Sequence, residues 1–194
     1  MKIGVDLDGV IFDSEKLYRV YCELYDMLEL HKNSIIDNKK IKLQDRYNWT
    51  QDEINEFFKK YQIKILSEAN FMPGAKKILK MLKNDGHELI VITARGTINQ
   101  NIISLTEKIL KDNDTYIFDK YYWATENKDE ICVKENLDLM IDDSDTKCSA
   151  IANAGIETIY LKDAPSYEMP ETENLTTLYN WGEIYRYICK KNIK

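Results

Sequence analysis

Four short apolar runs constrain this chain more than any other feature: Lys2–Leu7, Glu88–Thr93, Leu137–Asp142 and Glu157–Leu161. Each is rich in Ile, Val or Leu and too short for a helix. None shows the strict alternation of a strand with one wet face, so all four read as strands covered on both sides. Tyr116 to Trp123 supplies a further candidate strand. Helical patterns lie between them. One starts near Pro73, carries Ile78, Leu79, Met81 and Leu82, and stops at Gly86. Another carries Ile102, Ile103, Ile109 and Leu110, and a third runs from Ser144 to Ala154 and stops at Gly155. Strand and helix in alternation predict an α/β fold, a Rossmann-like parallel sheet with helices on both faces.

Between Asp13 and Phe71 the rhythm breaks. Leu17, Val20, Tyr21, Leu24 and Leu28 recur at helical spacing. Thr50-Gln-Asp-Glu53 is a capping box that opens a second helix carrying Ile54, Phe57, Phe58 and Tyr61. Residues 14–70 are therefore expected to be a small helical insertion, and residues 1–13 with 71–194 the α/β core. Tyr18, Tyr21 and Tyr25 read as packing residues of the insertion. Trp49 sits where a hydrophobic staple belongs, although Arg46, Tyr47 and Trp49 are also candidates to line a nucleoside pocket.

A length of 194 residues suits one domain with an insertion, and roughly 70% of the unfolded chain's surface should be buried on folding. The net charge of -6 argues against a nucleic acid polymer or an anionic membrane as partner. A small anionic substrate stays compatible with it, because a local cation overrules the average field. Cys22, Cys132, Cys148 and Cys189 are scattered singly, as expected of reduced thiols in a cytosol. Asp6 and Asp8 interrupt the first apolar run before a signal-peptide core can form, so the expected location is cytoplasmic. His31 and His87 are isolated and read as surface residues.

The chemistry gathers where the strands end. Asp6-Leu7-Asp8-Gly9 closes the first strand, and ligands of open parallel sheets bind outside the strands' carboxyl ends. Two carboxylates at that edge repel unless a proton or cation lies between them. The second strand ends in Thr93, whose hydroxyl and neighbouring backbone amides, that of Ala94 included, suit an oxyanion. The third ends in Asp142-Asp143. Lys128 opens a helix just before it, placed to neutralise a phosphate as a point charge. Acids drawn from two strands make the oxygen-rich site that Mg²⁺ prefers. Taken singly, each of these residues has a structural reading; together, in this order and at these ends, they form a site.

These four motifs resemble those of the haloacid dehalogenase superfamily of phosphohydrolases, at Asp6/Asp8, Thr93, Lys128 and Asp142/Asp143. The insertion falls where that superfamily places its smaller cap. The resemblance implies that Asp6 attacks phosphorus to form an aspartyl-phosphate. It implies that Asp8 protonates the leaving oxygen and then activates water, and that Thr93, Ala94 and Lys128 bind the phosphoryl group. Mg²⁺ would be held by Asp6, the main-chain oxygen of Asp8, and the Asp142/Asp143 pair.

Ile141-Asp-Asp-Ser-Asp-Thr146, Asn180-Trp-Gly-Glu-Ile184 and Phe71-Met-Pro-Gly-Ala75 are similar, more narrowly, to segments of the 5'(3')-deoxyribonucleotidase branch and its bacterial nucleotidase relatives. That similarity implies a nucleoside or deoxynucleoside monophosphate as substrate; a sugar phosphate or another small phosphorylated metabolite is the alternative. Here Thr93-Ala94-Arg95 departs from the Thr-Ser-Pro of that branch. Arg95 is then either a bidentate phosphate contact or the partner of an acid at the rim. A catalytically silent binding protein on the same fold is the reading from another class, and it fits poorly with the presence of both Asp6 and Asp8.

Overall fold

The computed structural model describes residues 1–163 and 167–191. The expected core range of 71–194 therefore includes 164–166 and 192–194, which lie outside the described residues. Six strands form one sheet: β1 (Lys2–Val5), β2 (Glu88–Ile92), β3 (Lys120–Tyr122), β4 (Leu139–Asp142), β5 (Glu157–Leu161) and β6 (Leu175–Leu178). Their order is β3-β2-β1-β4-β5-β6, and every pairing is parallel. The order reverses at β1, which pairs with β2 on one side and β4 on the other. That reversal opens a crevice at the carboxyl ends of the central strands.

Alternation along the strands divides the core between the two faces. Ile3, Val5, Leu89, Val91, Leu139 and Ile141 pack with Leu79 of α4 (Ala75–Asn84), Leu110 of α5 (Asn101–Asp112) and Ile184 of α8 (Trp181–Lys191). Ile90, Ile92 and Met140 face the other way, against Cys132 of α6 (Lys128–Glu135) and Ile151 of α7 (Asp145–Asn153). Both faces are covered, which explains why the strands read as continuous apolar runs. At Gly4 a Cβ would meet Leu137 Cδ1 at 2.5 Å and Met140 Sδ at 2.6 Å, so these side chains of the α6–β4 segment lie close against β1.

Residues 14–70 contain α1 (Ser14–Leu24, continued by a π-helical turn over Tyr25–Glu29), α2 (Leu43–Arg46) and α3 (Gln51–Glu68). The capping box at Thr50 is formed in both directions, with Thr50 Oγ1 accepting from Glu53 N and Glu53 Oε2 from Thr50 N. This segment has an aromatic core of its own, built on Tyr25, Tyr47, Trp49 and Phe57 with Cys22, Ile54 and Ile65.

Several expectations need correction. The first helix buries its periodic stripe only in part: Leu17 and Tyr21 pack against the aromatic core, Val20, Leu24 and Leu28 are exposed, and Cys22 and Tyr25 turn inward. Aromatic mass on α3 pulls the Tyr25 edge of α1 into the cluster, overriding the aliphatic period. His87 is buried, with Nδ1 lying 3.2 Å from the Met1 amino nitrogen, because it immediately precedes β2. Strand β6 lies outside the five expected strands; its Leu-Thr-Thr-Leu sequence is short and half polar, as suits an edge strand.

Candidate active site

Register alone brings the acids together. Val5 pairs with Val91 and with Ile141, so the residues that follow emerge side by side at the carboxyl edge. Asp6 N donates to Ile141 O at 3.0 Å and keeps that alignment one residue past β1. Lys128, the first residue of α6, reaches in from the next layer. Its Nζ lies 2.6 Å from Asp142 Oδ2 and 2.9 Å from Asp6 Oδ2, and all three side chains are buried.

The turn after Asp6 depends on Gly9, whose φ is +68° and where a Cβ would sit 1.9 Å from Asp143 Oδ2. Only glycine admits both that backbone and that close carboxylate. Trp181 Nε1 donates to Val10 O at 2.8 Å, so the Asn180-Trp segment holds this turn from α8.

Asp6, Asp142 and Asp143 offer carboxylate oxygens that all lie within 4.8 Å of one another. Three carboxylates against one ammonium leave an excess of negative charge, and Asp6 Oδ1 is buried with no hydrogen-bond partner. An all-oxygen donor set with an orphaned, inward-facing carboxylate oxygen fits a hard divalent cation. In the protein alone, burial, together with the Asp142 and Asp8 charges, outweighs Lys128 and pushes the Asp6 carboxyl up to about 6. Burial and the neighbouring Asp142 and Asp6 raise Asp143 as well. Burial alone would lower Lys128, but Asp142 and Asp6 outweigh it and hold its ammonium firmly charged.

Asp8 points elsewhere. Arg95 grips it with two hydrogen bonds, Nε to Oδ2 and Nη2 to Oδ1, both 2.8 Å. Ser14 Oγ, at the start of α1, also donates to Asp8 Oδ1. Arg95 is itself fixed by Thr106 Oγ1 at 3.0 Å and by the Phe12 ring, 4.6 Å from its guanidinium carbon. Burial would raise the Asp8 carboxyl, but Arg95 more than offsets this and holds it below its usual range. Of the two readings of Arg95, the structure shows the acid partner. Thr93 is buried beside it, its Oγ1 accepting from Arg95 N at 3.2 Å.

A cavity of about 590 Å³ opens over these residues. Its floor includes Asp6, Asp8, Ala94, Arg95, Lys128, Asp142 and Asp143, and its opposite wall comes from residues 14–70. Gln51, Asn55, Phe58 and Gln62, spaced four, three and four apart, bring one stripe of α3 to that wall, with Tyr18 beside them. The Tyr18 and Phe58 rings meet edge-on at 6.2 Å.

Tyr47 and Trp49 are not part of this wall, which corrects their candidacy as pocket residues. They stack on each other at 4.3 Å inside the insertion's core, with Tyr47 Oη donating to Glu23 and Trp49 Nε1 to Asp26. Arg46 is likewise fully buried, paired with Glu15. Sequence reasoning missed Ser14, Thr106 and the α3 stripe. Only the stripe left a signal, carboxamides recurring at helical spacing among apolar residues.

No family model matches the chain. A hydrolase of the haloacid dehalogenase-like family from Streptococcus pneumoniae superposes with a TM-score of 0.69 at 19% identity, covering 96% of this chain and 97% of that one. The chain has the haloacid dehalogenase-like fold. A second neighbour with this fold, YfnB of Bacillus subtilis, is described as a HAD-hydrolase bound to magnesium whose structure reveals interdomain movement. It has a TM-score of 0.60 at 16% identity, with 96% and 97% of the two chains covered. In sequence, the chain is 24% identical over 185 residues to a nucleotidase of Clostridium acetobutylicum, spanning 95% of this chain and 92% of that protein. Among the described residues no helix is long and apolar enough to cross a membrane.

Proposed function

We propose that this chain hydrolyses phosphate monoesters through a covalent phosphoryl group on Asp6, with nucleoside monophosphates as its substrates. One observation carries the reading. Asp6 has one carboxylate oxygen on Lys128 and the other buried without a partner, at the floor of the cavity. The nucleotidase relative supports the substrate class.

In this reading Lys128 lowers the repulsion between the Asp6 carboxylate and an anionic phosphate, and keeps Asp6 turned towards the cavity. Thr93 Oγ1 and the Ala94 amide orient the phosphoryl oxygens. Asp6, Asp142 and Asp143 would hold Mg²⁺, with the main-chain oxygen of Asp8, and the ion supplies charge neutralisation at the phosphoryl group. Asp8 does the proton work. Gripped by Arg95 it is a carboxylate, the form that takes a proton from attacking water. Delivering a proton to the leaving oxygen requires that grip to loosen when substrate enters.

Residues 14–70 act as the cap that closes the cavity and reads the leaving group. The α3 side chains at the cavity are all neutral: three carboxamides, each able to donate and accept, a phenyl ring, and the aliphatic Ile54 and Leu66. With the Tyr18 ring they suit a flat, uncharged heterocycle bearing both donors and acceptors. The test is a panel of nucleoside monophosphates, sugar phosphates and a small aryl phosphate, assayed with Mg²⁺ and after chelation. Highest kcat/KM for a nucleoside monophosphate, lost on chelation, is expected. Preference for sugar phosphates over every nucleotide would overturn the substrate class, and undiminished turnover after chelation would overturn the metal's role.

A further inference from the structure

The turn at residues 37–40 connects the two parts of the molecule through one aromatic side chain that belongs to the core. Tyr167, between β5 and β6, donates its hydroxyl to Asp37 Oδ2. The Lys40 ammonium lies 4.6 Å from the centre of the Tyr167 ring and that of Lys39 5.7 Å. Three side chains of one turn thus converge on a single residue more than a hundred positions away. The turn itself is tight, with Lys39 N donating to Asp37 Oδ1 and Lys40 N to Asp37 O. A second tie leaves the same core segment, where Asp163 pairs with Lys16 of α1 at 2.5 Å.

The turn leads directly into the cavity wall. Ile41, Lys42, Leu43 and Gln44 all line the cavity. From the inner side, buried Arg46 holds the same stretch, with Nε on Lys40 O at 2.5 Å and Nη2 on Ile41 O at 3.1 Å. Arg19 of α1 adds a bond from Nη1 to Asn38 O at 2.6 Å. Arg46 and Arg19 belong to the insertion and travel with it. Tyr167 does not, so its contact with the turn ties this wall to the core.

We infer that Tyr167 is a positioning residue: it pins the turn at 37–40 to the core and thereby sets the place of the wall at 41–44 over the phosphoryl site. The cation–π contacts are partly exposed and individually modest, while the hydrogen bond to a carboxylate is charge-assisted. A latch of this strength opens and closes readily, as a wall that admits substrate must.

The inference rests on the proposed reading only for its kinetic arm. Hydrogen exchange over residues 36–46 is compared in the wild type, Tyr167→Phe, Tyr167→Ala and Lys40→Ala, with α4 and α8 as internal controls for global stability. Tyr167→Ala should speed exchange in 36–46 by about three- to tenfold, the loss of one charge-assisted contact, while the controls stay unchanged. Tyr167→Phe keeps the ring and should fall between, and Lys40→Ala should reproduce part of the effect from the other side. KM for the best nucleoside monophosphate, taken relative to a small aryl phosphate that does not reach the wall, should rise by a similar factor. Unchanged exchange over 36–46 in Tyr167→Ala overturns the inference whatever the enzyme hydrolyses. Faster exchange with unchanged relative KM overturns its link to the wall.

Discussion

The floor and the opposite wall of the cavity are built in opposite ways. On the floor, Asp6 and Asp142 are buried acids aligned by strand register, and buried Lys128, from α6, lies within hydrogen-bond distance of both. On the α3 part of the wall, Gln51, Asn55, Phe58 and Gln62 are neutral and share one helix whose other face packs an aromatic core, while Glu15 and Lys42 add charge beside them. In the proposed reading, a floor of fixed charge recognises any phosphate ester and does the same chemistry to each, and a wall of carboxamides and rings distinguishes what the phosphate is attached to. Chemistry and selectivity would then be separable by mutation, and the following outcomes test that separation.

The largest effect belongs to the floor. Asp6→Asn should lower kcat for every substrate by about 10³-fold or more, aryl phosphates included, because the amide cannot attack phosphorus. Steady-state rates on a purified, folded variant check this, and selective loss for nucleotides alone would contradict it.

Next comes the insertion's core. Trp49→Ala and Tyr47→Ala remove buried, stacked rings and should destabilise the protein by about 3–5 kcal/mol, read from urea unfolding. Surviving folded protein should keep the wild-type order of substrates. A changed order with unchanged stability would return these two residues to the specificity wall.

Charge on the floor also leaves a mark on stability. The Asp6 carboxyl is raised to about 6 in the folded protein without metal, mainly by burial. Folding therefore favours its protonated form, and this contribution is complete below the unfolded value near 4 and lost as pH rises through about 6. Chelated wild type should lose up to about 3 kcal/mol between pH 4 and 7.5 relative to Asp6→Asn, which carries no charge there. Urea unfolding of both proteins at several pH values gives the difference, and a gap that does not widen with pH would contradict the assignment.

The smallest effect is the one specific to the wall. Phe58→Ala and Gln62→Leu should each change discrimination among nucleoside monophosphates by about tenfold while altering aryl phosphate turnover little. Equal losses on all substrates would merge wall and floor into one function.

Much of the floor was legible in the sequence, and the reason is physical. Buried parallel strands need continuous apolar runs, so their carboxyl ends are conspicuous, and acids gathered there repel one another unless a cation or proton joins them. Asp6, Thr93, Lys128 and Asp142 could be placed at one edge without coordinates. The wall was not legible, because which face of an inserted helix looks at the site depends on how the insertion packs. Tyr47 and Trp49 drew notice as large rings near a capping box, yet large rings are also what a small helical core buries first. Arg95 left two readings open until its partner was known, since a guanidinium suits a phosphate and a carboxylate equally.

The proposed covalent role of Asp6 is tested most directly by trapping the phosphoryl group. Asp8→Asn protein is mixed with Mg²⁺ and an aryl phosphate whose leaving group needs no proton, quenched in acid, and digested for peptide mass mapping. A phosphoryl adduct is expected on the peptide holding residues 1–13, on Asp6, and absent when Asp6→Asn is added. An adduct on any other residue, or full turnover by the Asp6→Asn enzyme, would contradict that role.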